Sequence, residues 1–131
     1  MNAPTFLEYA QSIVSVLEKA CEHCDTVKGS DVAVPNSRDL ALTIQGTSHG
    51  IHFLRELTEG VITSYKREEE FCGGHASTLE RAVESYDPTQ DPLVMQYGDS
   101  ATNAVTQVRD YLVQCIQQRK TPTAEELIKK M

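Results

Sequence analysis

Apolar side chains recur at steps of three and four almost from the start of the chain. Phe6, Ala10, Ile13, Leu17, Ala20, Cys24 and Val27 fall on one stripe, which predicts a helix rather than a strand. Thr5 and Glu8 have the spacing of a capping box, and Lys28-Gly29 supplies a fitting stop. After a loop closed by Pro35 and Asn36, a second stripe runs through Leu40, Ile44, Ile51, Leu54, Val61 and Tyr65. It predicts a helix from Ser37 to Cys72, ended by Gly73-Gly74. Ser77 and Glu80 predict the cap of a short helix reaching Tyr86. Asp91-Pro92 then predicts the start of a long helix carrying Tyr97, Ala101, Ala104, Val108, Leu112 and Cys115. Thr123 with Glu126 caps a short tail. No strand-like alternation persists. The expected fold is all-α: an antiparallel up-and-down bundle of three long and two short helices, forming one domain over residues 1–131.

Gly46 and Gly50 interrupt the second helix, each costing about 1 kcal/mol against Ala. Spaced four apart, they share one face. Either a neighbouring helix approaches there, or the helix breaks.

With 131 residues, the chain is long enough to build a core without disulfide or metal support. No run reaches the roughly 20 apolar residues of a membrane span. The first residues lack the basic and apolar blocks of a signal peptide, so the expected compartment is the cytoplasm, and the four Cys are expected as free thiols. The net charge of −7 is concentrated. Residues 68–99 hold eight acids (Glu68, Glu69, Glu70, Glu80, Glu84, Asp87, Asp91 and Asp99) against Arg81 alone, while the remainder is neutral. A phosphate backbone would be repelled by that stretch, and Trp is absent. Nucleic-acid binding is therefore not expected.

Three patterns carry possible chemistry. Gly46-Thr47-Ser48-His49-Gly50 matches the G-x-S-x-G nucleophile elbow, but that turn needs a strand before it and a sheet beneath it. The upstream residues read as helix and loop, so the motif fails its own structural test. The same stretch resembles the H-x-x-K-G-S signature of histidine phosphotransfer domains, which are four-helix bundles. With Gly46 on the motif's Gly, Leu42 stands at the phosphorylated His and Gln45 at the Lys. The resemblance implies phosphotransfer only if His49 or His52 substitutes from another turn.

Cys21-x-x-Cys24 and Cys72-x-x-His75 together have the composition of a Cys3His zinc site. A continuous second helix of about 35 residues would hold Cys24 and Cys72 on the order of 50 Å apart. A sharp fold-back at Gly46 to Gly50 is the one arrangement that joins them. No metal or other cofactor is therefore the primary expectation.

The acidic stretch remains. Three consecutive Glu sit where the helix dipole prefers cations, and no base occurs between Arg81 and Arg109. Tyr86, Leu93, Met95 and Tyr97 are interleaved with the acids as apolar anchors. These residues point to a non-enzymatic regulatory or interaction protein that binds a partner with a basic surface. The expected contact residues are Glu68, Glu69, Glu70, Glu84, Asp87, Asp91, Tyr86 and Tyr97. The tail helix at 123–131 is a candidate contact for a homo-oligomer.

Overall fold

A computed structural model describes residues 5–29, 37–64 and 73–130. Among the described residues it contains six α-helices and no β-strand: α1 (Phe6–Gly29), α2 (Ser37–Ser64), α3 (Gly73–Glu84), α4 (Pro92–Met95), α5 (Asp99–Gln118) and α6 (Ala124–Lys130). A 3-10 turn at Pro88–Gln90 precedes α4. No helix among the described residues is long and apolar enough to cross a membrane.

α1 forms as its sequence dictates. The amide of Glu8 donates to Thr5 Oγ1 at 3.1 Å, satisfying one of the first orphan N–H groups. Phe6, Ala10, Ile13, Leu17 and Ala20 are fully buried along one stripe. That stripe packs on α2, the next helix in the chain. Ile51 and Leu54 of α2 are fully buried in the same core, and the hydroxyl of buried Thr58 donates to Leu54 O at 3.0 Å. Burying that hydroxyl therefore costs little.

α2 is continuous through Gly46 and Gly50, which settles the choice between close packing and a break. A Cβ added at Gly46 would lie 2.7 Å from the Cβ atoms of both Ala101 and Tyr97. At Gly50 it would lie 2.5 Å from both γ-carbons of Val105. The two glycines thus let α5 approach α2 more closely than any side chain would permit. The pairing also gives direction. Moving from Gly46 to Gly50 moves the contact from Ala101 to Val105, so α2 and α5 run parallel, as the second and fourth members of an up-and-down bundle do. α3 packs against both of them.

Gly60 is different. An added Cβ there would meet no atom within 4 Å. Gly60→Ala should stabilise the protein by about 0.5–1 kcal/mol through helix propensity alone. Thermal unfolding followed by circular dichroism measures this, and a lower midpoint would contradict an exposed helical Gly60.

Two sequence expectations change. The long helix expected from Asp91 is two helices, α4 and α5, separated at Gly98. That residue has φ 101°, a conformation that favours glycine. α3 begins at Gly73 rather than after a cap at Ser77, so Gly73-Gly74 opens a helix. The tail helix has packing partners within the chain. α6 docks on α1 and α5 of its own chain, with Leu127 fully buried. Tyr9 Oη donates to Lys120 O at 2.7 Å, and Tyr111 Oη accepts from the Thr123 amide at 3.0 Å, fixing the root of α6. Glu126 N donates to Thr123 Oγ1 at 3.3 Å, as the capping pattern predicts. The expected last turns of the second helix, residues 65–72, lie outside the described residues.

Candidate functional site

The segment joining α3 to α4 is held by side chains at nearly every step. Tyr86 is 6% exposed and its hydroxyl donates to Asp91 Oδ2 at 2.6 Å. The Arg109 guanidinium, from α5, donates to Tyr86 O at 2.8 Å and to Asp110 Oδ1 at 3.0 Å. Asp87 Oδ1 accepts from the Thr89 hydroxyl at 2.6 Å and from the Thr89 amide at 3.0 Å, capping the 3-10 turn. Asp91 Oδ1 accepts from the Leu93 amide at 3.0 Å, capping α4.

These bonds set the electrostatics. The Thr89 hydroxyl and amide, with a smaller contribution from Arg109, hold the Asp87 carboxyl below the usual carboxylate range. Burial, followed by the hydrogen bond to Asp91 and that residue's charge, pushes the Tyr86 phenol well above its ordinary value.

A corner held this way presents apolar side chains to solvent. Val94 is fully buried and anchors α4, which leaves Leu93 56% and Met95 51% exposed on either side of it. Phe53, on α2, is 40% exposed, and its ring lies 4.7 Å from that of Tyr86. At the other end of α4, the Tyr97 ring stacks on His49 at 5.6 Å. Phe53, Leu93 and Met95 are the large exposed apolar side chains among the described residues. Glu84 and Asp87 are exposed beside Tyr86, and Glu56 is exposed one turn beyond Phe53.

The expected contact residues therefore divide. Glu84 and Asp87 are exposed and Tyr97 is half-buried. Tyr86 and Asp91 instead face each other and support the corner from within. Leu93 and Met95, the apolar residues interleaved with these acids, are exposed. Glu68, Glu69 and Glu70 lie outside the described residues. Phe53 was missed by the sequence reading. Its signal was its position off the α2 stripe, where a large apolar side chain has no core to enter.

The other candidate chemistries are separated or redirected. His75 is 9% exposed and its ring lies 4.9 Å from that of Phe6, at the start of α1. Cys21 and Cys24 are buried toward the far end of the same helix. Phe6 and Cys24 are eighteen positions apart on it, about 27 Å. Cys21, Cys24 and His75 cannot share one ion, so the Cys21–Cys24–Cys72–His75 zinc set is excluded on geometry, with Cys72 outside the described residues. No group of three or more His, Cys, Asp or Glu among the described residues is placed to hold a metal ion.

Ser48 lies inside a continuous helix, so the nucleophile-elbow geometry is not formed. Gly46 receives Tyr97 and Ala101. His49 and His52 are exposed on the same helix.

Compared with protein families, characterised proteins and solved structures, the chain matches none.

Proposed function

We propose that this protein is a non-enzymatic helical interaction module of the cytoplasm, regulatory in role, that docks a protein partner with a basic surface on the α3–α4 corner. One observation carries the reading. Leu93, Met95 and Phe53 are exposed beside a tightly hydrogen-bonded turn, with Glu84, Asp87 and Glu56 nearby. Exposed to solvent, large apolar groups gain nothing, whereas buried in an interface a few such anchors carry most of the binding energy. The surrounding acids favour a cationic partner and repel anionic ones.

Rigidity supports the same reading. Asp87, Asp91, Tyr86 and Arg109 hold the turn in place before any partner arrives, which lowers the ordering cost of binding. Phosphotransfer through His49 or His52 is the opposing class. It rests on two exposed imidazoles on α2, and it would show as phosphohistidine on either residue.

Two variants of the full chain test the docking reading. Leu93→Ser with Met95→Ser removes the anchors, and Glu84→Lys with Glu56→Lys reverses the charge. All four positions are exposed, so stability should change by no more than about 0.5 kcal/mol each. Capture of the partner recovered by the parent chain should fall at least about tenfold with either pair. Equal recovery by both variants would overturn the proposal.

A further inference from the structure

We infer that the segment occupying the α3–α4 corner is an amphipathic helix with a basic face, an inference that rests on the docking reading above. The argument starts from the backbone of whatever binds. A segment pressed onto this corner, against Phe53 beside Tyr86 or against Leu93 or Met95 of α4, loses water from its own N–H and C=O groups, and these must find partners. An extended strand finds them by pairing with a sheet edge. Among the described residues this protein has no strand, so it offers no such edge. The corner's own backbone is also committed. The amides of Gln90, Asp91, Val94, Met95 and Gln96 already donate within the turn and α4. A helix satisfies its backbone internally and needs only side-chain contacts from its host.

Charge narrows the occupant further. Glu84, Asp87 and Glu56 are exposed around the patch. Of the described guanidinium groups on the same helices, Arg109 is bonded to Tyr86 O and Asp110, Arg55 pairs with Glu59 at 3.3 Å, and Arg81 is exposed one turn before Glu84, so the acids outnumber the uncommitted bases. A second copy of this chain would bring the same acids against one another. An anionic lipid surface would be repelled as well. A helix with apolar residues on one face and Lys or Arg flanking them meets both demands. Met95 adds tolerance to the shape of the entering side chains, because its thioether chain adapts readily.

The test uses the full chain, isotope-labelled for amide NMR, and three designed peptides of roughly five helical turns. One carries leucines on one face and lysines on the other. The second is the same peptide with a central proline, and the third replaces lysine by glutamate. The first should shift the amides around Phe53, Leu93 and Met95 and gain helicity on binding. The proline peptide should bind at least about tenfold more weakly, because proline breaks the helix while keeping the charge. The glutamate peptide should not bind.

Equal binding of the proline peptide at the same residues would overturn the helical occupant and leave the docking corner standing. Equal binding of the glutamate peptide would overturn the basic face. No shift at the corner with any peptide would overturn the inference and the docking reading together. A dimer in sedimentation that Leu93→Ser abolishes would identify a second copy as the occupant instead, against the inference.

Discussion

Gly50→Ala should destabilise the protein by about 3 kcal/mol, a loss of roughly 10–15 °C in Tm, although alanine is the better helix former. Propensity alone predicts the opposite sign, a gain of about 1 kcal/mol. Packing decides. The new methyl would lie 2.5 Å from both γ-carbons of Val105 and 3.0 Å from its Cβ. Turning the valine about χ1 brings its Cβ hydrogen into one of the two facing positions but leaves a γ-carbon and the Cβ against the new methyl, and it leaves the strongly preferred helical rotamer of a β-branched residue. Full relief needs α2 and α5 to move apart, and that loosens Ala101 and Tyr97 against Gly46 as well. Val105→Ala removes the two clashing carbons. It should itself be destabilising, because Val105 is fully buried. Combined with Gly50→Ala, however, it should recover most of the loss, with a coupling of about 1–3 kcal/mol. Chemical denaturation of the four proteins in the cycle measures this. Strict additivity would mean that α2 and α5 do not meet at Gly50.

The same contact shows why part of the fold was legible in the sequence and part was not. α1 could be read from end to end, because its cap, its stripe and its stop are all local. Gly46 and Gly50 were visible as a pair on one face, yet their reason lies in Tyr97, Ala101 and Val105, some fifty positions away. No local pattern tells a close approach from a break. The division between α4 and α5 was hidden by a coincidence of spacing. Tyr97 and Ala101 continue the α5 stripe backwards across Gly98, so periodicity runs on where the backbone does not.

The candidate site divides along the same line. The mixture of acids and apolar residues over 84–97 is a matter of composition and was plain. The inward turn of Tyr86 depends on Asp91 and on Arg109 from another helix, and the addition of Phe53 depends on how α2 lies beneath the corner. These are tertiary facts, set by residues far apart in the sequence.

Alkaline unfolding should come early and should be traceable to two phenols. Tyr9 is 2% exposed and donates to Lys120 O, and burial, with smaller contributions from Cys115 and Tyr111, pushes its phenol far above the ordinary value. Tyr86 is raised in the same direction by burial and by Asp91. In the unfolded chain both phenols release their protons near pH ~10, whereas in the folded chain both keep them. The folded state therefore binds more protons above that pH, and the free energy of unfolding falls as pH rises. The stabilisation is fully present below pH ~10 and is lost as pH climbs toward the folded values. Each phenol contributes a slope of at most about 1.4 kcal/mol per pH unit above pH ~10, less in proportion as solvent screens it. The Cys115 thiol and the Tyr111 phenol, both raised by burial, add to the fall. A domain with a typical stability of about 5–15 kcal/mol would lose part of it in that range. Helicity and tyrosinate absorbance recorded against pH should therefore change together for these two residues. Tyr86→Phe should cost about 1 kcal/mol at neutral pH, through the lost bond to Asp91, and should make the alkaline slope measurably shallower. Ionisation of Tyr9 and Tyr86 near pH ~10 with helicity intact would show that neither phenol is held in the core as described.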